Sequence, residues 1–367
     1  MTIPADTVSL FDYERRFHER VDPAIRAYIA GAAADGITLR ENRAAFDRIR
    51  LMPRALVDMS AASAVSTLFG ERLDYPIILA PTAYHKLVHP QGELETVRAA
   101  SLTNCWMTVS TQASVSLEAI AEASTTKLWF QLYMQLHRND TLTLIRRAED
   151  AGYKAIVVTI DAPVNGIRND EQRAGFRLPE GVSAVNLSGF EQRSAAPETV
   201  GSPVFKGLLQ GAPCWDDIAW LCAQTSLPVL LKSIVNPADV VPALGAGVSG
   251  LIVSNHGGRT LDTLPATIDL LPAIVAEVSG RVPVLVDGGI RRGTDIVKAI
   301  ALGATAVLVG QPVLHALAVG GLAGVAHMLT ILQTELEAAM ALLGAPRLAD
   351  LKGTIFERGA MASRMQN

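Results

Sequence analysis

The sequence predicts a (β/α)8 barrel carrying an N-terminal helical extension. Three observations support this. From Tyr75 onward, eight short apolar segments recur at 77–80, 106–109, 128–132, 155–160, 228–232, 250–253, 282–286 and 306–309. Helix-like stretches separate most of them, which is the rhythm of a closed parallel sheet with crossover helices. Polar or glycine residues follow every apolar segment, as expected where strand ends form a working surface. An open doubly wound sheet is the rival fold, but its GxGxxG turn after the first strand is absent.

The elements follow in order. Residues 8–45 read as helical, and the stretch from Tyr28 to Asp35 ends one helix and starts the next. Residues 49–75 read as extended, broken at Pro53 and Gly70. Within the barrel, helices are expected at 92–102, 141–152, 237–245, 267–279 and 293–302, between apolar strands. The interval 162–215 is too long for an ordinary βα loop and is rich in Gly, Pro, Ser, Asn and charge, so it is expected to act as a lid or insertion. The whole of 1–367 is taken as one domain. It comprises an N-terminal region 1–74, a barrel 75–345 and a C-terminal tail 346–367.

Bulk properties fit one large soluble unit: 367 residues, 49% hydrophobic, net charge −4. Nothing is basic enough to favour nucleic acid. The three cysteines, Cys105, Cys214 and Cys222, have no metal or redox spacing. They are expected to be buried free thiols in a reducing compartment, hence a cytoplasmic setting. Charges throughout the first thirty residues argue against a signal peptide. Residues 299–334 lack Asp, Glu, Lys and Arg over a span long enough to cross a bilayer. Glycines and Pro312 interrupt the run, so a strand, a turn and a buried helix are expected there, with no membrane span.

The chemistry concentrates in Ser254-Asn255-His256-Gly257-Gly258-Arg259, just past a strand. A histidine moves protons near neutral pH. An arginine offers a planar fork that matches a carboxylate. About thirty residues on, Asp287-Gly288-Gly289-Ile290-Arg291 and then Gly310-Gln311-Pro312 end two further strands. The loops after strands seven and eight of a barrel commonly bind phosphate. Other strand ends supply Pro81, Thr82, Ala83, Ser110, Gln131, Tyr133, Thr159, Asp161 and Lys232. A lysine closing an apolar strand needs a partner, and Asp161 is suited to orient a histidine.

Taken together, these motifs, with Ala80-Pro81-Thr82-Ala83 and Phe130-Gln131-Leu132-Tyr133, resemble the FMN-dependent α-hydroxy acid oxidase and dehydrogenase family. That family includes glycolate oxidase, lactate oxidase, mandelate dehydrogenase and hydroxymandelate oxidase. The resemblance implies FMN as cofactor, His256 as catalytic base with Asp161 behind it, and Arg259 and Arg168 gripping the substrate carboxylate with help from Tyr28. Tyr133 would sit beside the hydroxyl or keto oxygen. Lys232 would lie near the flavin N1–O2 edge, where its charge would stabilise the reduced anion. Pro81, Thr82, Ala83, Ser110, Gln131 and Thr159 would line the ring. Gly289, Arg291 and Gly310 would hold the phosphate, with Ser254, Asp287, Gly288 and Gln311 in the same cofactor wall. A homotetramer is implied by resemblance alone.

Gln311 departs from the family, where arginine usually follows that glycine. One charged phosphate contact is therefore missing, and weaker FMN retention is expected. The resemblance, with Ala83 in place of glycine, implies an oxidase that uses O2 and releases hydrogen peroxide; a quinone or protein acceptor is the alternative. Tyr84, Gln112, Val164 and the 162–215 segment are expected to shape the side-chain pocket. The stretch 81–90 most resembles the hydroxymandelate oxidase branch, implying an aryl or bulky (S)-2-hydroxy acid, with lactate or glycolate as the alternative. A phosphate-binding isomerase barrel and a non-catalytic flavin- or phosphate-binding barrel are the rival classes. Neither needs His256 and Arg259 together with a carboxylate pocket.

Overall fold

The computed structural model describes residues 3–191, 201–209 and 211–356. Eight parallel strands close into a barrel: β3 (Ile77–Leu79), β4 (Trp106–Ser110), β5 (Leu128–Leu132), β6 (Ile156–Thr159), β7 (Val229–Ile234), β8 (Gly250–Val253), β9 (Val284–Val286) and β10 (Ala306–Val309), with β10 returning to β3. Every predicted apolar segment is one of these strands, within two residues at each end. The expected helices are present as α4 (Glu93–Leu102), α6 (Arg138–Asp150), α9 (Val240–Gly245, preceded by a 3-10 turn), α10 (Thr267–Val278) and α11 (Gly293–Ala301).

The apolar runs lack an obvious alternation because both strand faces are buried. Alternation governs the packing nonetheless. Ile78, Trp106, Trp129, Val157, Leu230, Ile252, Leu285 and Leu308, one from each barrel strand, form an inner cluster. Their neighbours, such as Leu79, Met107, Phe130, Val158, Leu231, Val253, Val286 and Val309, pack into the larger core that includes the helices. Two residues beyond the inner layer, on the same face of each strand, the chain places Ala80, Thr108, Gln131, Thr159, Lys232, Ser254, Asp287 and Gly310. The barrel interior therefore changes from apolar to mostly polar within one step along the strands.

The apolar end is closed by a short antiparallel hairpin, β1 (Ser66–Leu68) and β2 (Glu71–Leu73). Leu68 and Leu73 join the inner cluster, Phe69 packs against it, and the Phe69 ring lies 6.0 Å from that of Trp129. The remainder of 49–75 is largely irregular, not the extended stretch expected.

The helical stretch expected over 8–45 is three helices, α1 (Leu10–Arg20), α2 (Pro23–Ala30) and α3 (Ile37–Arg48), with the end of α2 and the approach to α3 falling in 28–35 as expected. Ser9 caps α1 through the Asp12 amide, and Asp22 with Pro23 starts α2. α3 has no cap of its own. The carboxylate of Asp262, from the loop after β8, accepts from the Ile37 amide at 3.2 Å and the Thr38 amide at 2.8 Å. α1 is fastened to the last helix, α12 (Gln311–Leu343), where Tyr13 Oη meets His327 Nδ1 at 2.9 Å. α12 is long and apolar enough to span a bilayer, yet 67% of an 18-residue apolar stretch of it is buried within the protein. Residues 299–334 thus contain the strand, turn and buried helix expected of them, with α12 broken at Gly321 (φ 56°).

The expectation for the cysteines needs correction. Cys105 is buried, but Cys222 is only partly so and Cys214 is exposed. Cys214 caps the surface helix α8 (Trp215–Cys222), its Sγ 3.3 Å from Asp217 Oδ2, so its position follows from helix geometry and not from core packing.

Candidate active site

A cavity of about 1130 Å³ opens at the polar end of the barrel. It is lined by all the predicted site residues except Asp161 and Ser254: Tyr28, Pro81, Thr82, Ala83, Tyr84, Ser110, Gln131, Tyr133, Thr159, Arg168, Lys232, His256, Arg259, Asp287, Gly288, Gly289, Arg291, Gly310 and Gln311. The two exceptions stand directly behind lining residues. Gln112 and Val164 also face the cavity.

His256 sits one turn past β8 with a left-handed backbone (φ 56°), which costs a non-glycine residue roughly 1–2 kcal/mol. Hydrogen bonds hold it there. Its amide donates to Ser254 Oγ at 3.1 Å and its Nδ1 meets Asp161 Oδ1 at 3.0 Å. Thr260 Oγ donates to the other Asp161 oxygen at 3.2 Å. Burial alone would raise the Asp161 pKa, but His256 and Lys232 outweigh it and hold the carboxyl below its ordinary value of 3.8. The next loop residues need glycine. At Gly258 (φ 77°) a Cβ would come within 2.6 Å of the Leu39 amide nitrogen.

Arg259 donates through Nη1 to the carbonyls of Ile29 (3.2 Å) and Gly31 (2.8 Å), and its guanidinium lies 5.5 Å from the centre of the Tyr28 ring. Arg168 donates through Nε to the Arg259 carbonyl at 3.3 Å. Burial, then the neighbouring Arg168, press the Arg259 pKa down, though a guanidinium stays charged. Burial raises the Tyr28 phenol to about 12 and the Tyr133 phenol further still, so both remain proton donors. Phe176 stacks on Tyr28 with ring centres 4.4 Å apart.

On the barrel wall, Lys232 Nζ donates to Ser254 Oγ at 2.8 Å and pairs with Asp287 Oδ2 at 3.1 Å. Ser110, Gln131 and Thr159 form a relay: Ser110 Oγ to Gln131 Oε1 (3.1 Å) and Gln131 Nε2 to Thr159 Oγ (3.1 Å). At the far end, Asp295 receives the amides of Arg291 (2.9 Å) and Arg292 (3.0 Å) and starts α11. At Gly289 (φ 80°) the turn presses against the Asn42 carbonyl, 2.1 Å from any added Cβ. Gln311 accepts from Arg291 Nη2 at 2.6 Å and donates to the Ile29 carbonyl at 3.3 Å. Arg291 also lies 3.6 Å from Glu14.

These residues fit FMN. Asp287 Oδ1 is buried without a hydrogen-bond partner, although its other oxygen is paired. A buried orphan acceptor is costly, and the hydroxyls of a ribityl chain are donors that would satisfy it. Arg291 and the glycine turns after β9 and β10 suit a phosphate. The wall from Pro81 to Ala83 with Ser110, Gln131, Thr159 and Lys232 suits a planar, partly polar ring.

Sequence reasoning missed several lining residues. Glu14, Phe176 and Glu171 come from segments outside the strand ends. Glu171 had one signal, its spacing of three from Arg168 on a short helix.

The fold and cavity define a flavin-binding (β/α)8 oxidoreductase. Comparison with known proteins agrees. The model of the family described as FMN-dependent dehydrogenase matches residues 17–358, and the chain belongs to that family. It is 45% identical to an L-lactate oxidase of Nostoc sp. over 358 residues, covering 96% of this chain and 98% of that protein. It is 41% identical to glycolate oxidase 3 of Arabidopsis thaliana, covering 95% of each. The crystal structure of mandelate oxidase with benzoyl-formic acid superimposes with a TM-score of 0.86 at 41% identity, covering 94% of this chain and 97% of that one.

Proposed function

We propose that this FMN-dependent 2-hydroxy acid oxidase acts on an (S)-2-hydroxy acid with an aryl or bulky side chain, yielding the 2-keto acid and hydrogen peroxide. The observation that supports it is the convergence of the His256–Asp161 pair and the Arg168–Arg259 pair on one cavity. When bound, FMN supplies the two-electron acceptor. Asp287, Gly288, Gly289, Arg291, Gly310 and Gln311 would hold its phosphate and ribityl end. Ser110, Gln131, Thr159 and Lys232 would line its ring, with Pro81, Thr82 and Ala83, and Ser254 would hold Lys232 from behind.

The chain's own residues do the rest. With Nδ1 engaged by Asp161, the His256 Nε2 atom is left to take a proton from substrate, and Asp161 stabilises the imidazolium that results. Arg259 and Arg168 bind the carboxylate, fixing the substrate's orientation. Tyr28 and Tyr133, held protonated, donate to substrate oxygens. Tyr84, Gln112 and Val164 border the side-chain space, and described residues of the expected 162–215 lid, among them Phe176, Leu178, Leu187 and Leu208, line the cavity; residues 192–200 and 210 of that lid lie outside the described residues. Lactate and glycolate are the competing substrates, on the names of the relatives above. A homotetramer in the cytoplasm completes the reading, supported by family resemblance and by three unpaired cysteines.

The test is anaerobic mixing of the yellow protein with lactate, glycolate, mandelate and 4-hydroxymandelate. Fastest bleaching by an aryl acid, then rapid recovery in O2, is the expected result. Fastest bleaching by lactate or glycolate would move the substrate. Recovery only with a quinone would make the enzyme a dehydrogenase. No bleaching by any of them would sink the reading.

A further inference from the structure

Among the described residues Glu171 is the one acidic side chain paired with both arginines of the site, and the roles proposed above give it no task. It lies on α7 (Asn169–Arg173), in the 162–215 segment. Its Oε1 is 3.0 Å from Arg168 Nη1 and 3.5 Å from Arg259 Nη2, so one carboxylate oxygen touches both guanidinium groups. Its side chain is 18% exposed and lines the cavity. Arg259 Nη1 is already taken by two backbone carbonyls, which leaves Nη2 as the atom toward Glu171.

Two guanidinium groups and one carboxylate leave a single net positive charge. Elsewhere in this part of the cavity Lys232 faces Asp287, and the Asp161 carboxylate is bonded to a His256 that is neutral until it takes the substrate proton, so the groups beyond the arginines add no positive charge to offset a second carboxylate. A ligand with one carboxylate therefore neutralises the arginine end. A ligand with two would bring a surplus negative charge into the cavity that the mostly buried Glu171 lines, where Coulomb repulsion is less screened than in bulk water.

We infer that Glu171 is a specificity-determining residue that confines this site to monocarboxylates by rejecting a second carboxylate on the substrate. The inference rests on the site reading given above, in which Arg168 and Arg259 bind the substrate carboxylate. Negative selection of this kind, by a like charge placed against the unwanted ligand, is a general route to specificity.

Propionate and malonate test it, since they differ by little more than a methyl against a carboxylate and neither can be oxidised at C2. Each is titrated into the FMN-loaded wild type, E171Q and E171D while the flavin absorption spectrum is followed. Wild type should bind propionate about tenfold more tightly than malonate, and E171Q should close most of that gap by improving malonate. E171D, which keeps the charge, should stay near wild type. A residue that only braced the arginines would weaken both ligands together in E171Q and leave their ratio unchanged, and that result overturns the inference. Equal affinities in wild type overturn it without any variant. If neither acid perturbs the wild-type flavin, the site reading itself fails and the inference falls with it.

Discussion

The two ends of the barrel are made by the same eight strands, yet they differ in every respect that matters for function. At one end Trp106, Trp129, Leu230 and their neighbours meet the hairpin residues Leu68, Phe69 and Leu73 in an apolar plug. At the other, Lys232, Asp287 and Gln131 face a cavity; Lys232 donates to Ser254 behind it and pairs with Asp287, while Gln131 donates to Thr159. One step of strand alternation separates them. Stability is thus concentrated where the interior is apolar, and chemistry where the same inward face turns polar.

Substitutions at six positions, one of them followed across pH, probe that division. The largest effect is expected for His256→Ala. Bound flavin should be retained while substrate-driven reduction falls by up to about 10⁴-fold, the upper range for a positioned base. Stopped-flow absorbance reads it, and a near-normal rate would remove His256 from the chemistry. Next comes Trp129→Ala in the plug, expected to lower unfolding stability by about 4 kcal/mol in urea denaturation, with kcat of the folded fraction within about twofold of wild type. Loss of turnover without loss of stability would blur the two ends.

Lys232→Met breaks the division deliberately. It strands Asp287 as a buried unpaired charge, so about 3 kcal/mol of stability should disappear from the polar end. Lys232→Met with Asp287→Asn should recover part of it. Gln311→Arg is smaller in effect: one charged phosphate contact is worth about tenfold in affinity, so FMN should dissociate about tenfold more slowly, measured by fluorescence of released flavin. An unchanged rate would show that Gln311, by bridging Arg291 to the Ile29 carbonyl, already does the arginine's work.

The smallest effect concerns acid. The Asp161 carboxyl titrates lower in the folded protein than its ordinary 3.8. Its contribution is therefore complete above that value and is lost as pH falls through the folded value. The stability difference between wild type and Asp161→Asn should shrink only below pH 3.8. A difference already shrinking at neutral pH would mean that another group governs it.

Most of the barrel was legible in the sequence because parallel strands buried on both faces read as continuous apolar runs. The site was legible for a related reason: strand ends place inward side chains at fixed offsets, so Lys232, Asp287 and Gln131 announce themselves as polar residues closing apolar runs. What was not legible depends on long-range packing. Glu14 reaches Arg291 from α1, Glu171 reaches both arginines from a five-residue helix, and Phe176 meets Tyr28 across the cavity. Nothing periodic marks Glu14 or Phe176, and the i,i+3 spacing of Glu171 points to Arg168 alone and not to Arg259. The start of α3 was illegible too, since its cap comes from Asp262, more than two hundred residues away.

The N-terminal region is sewn to the working loops through main-chain atoms. The Ala33 amide donates to the Gly258 carbonyl at 2.8 Å and the Ala34 amide to the Ile167 carbonyl at 2.7 Å, while the carbonyls of Ile29 and Gly31 receive Arg259. Residues 29–34 therefore behave as a brace shared by the loops that carry Arg168, His256 and Arg259. An engineer who trims the front of this chain, or transplants its catalytic loops onto a bare barrel, would be discarding part of the jig that aligns them.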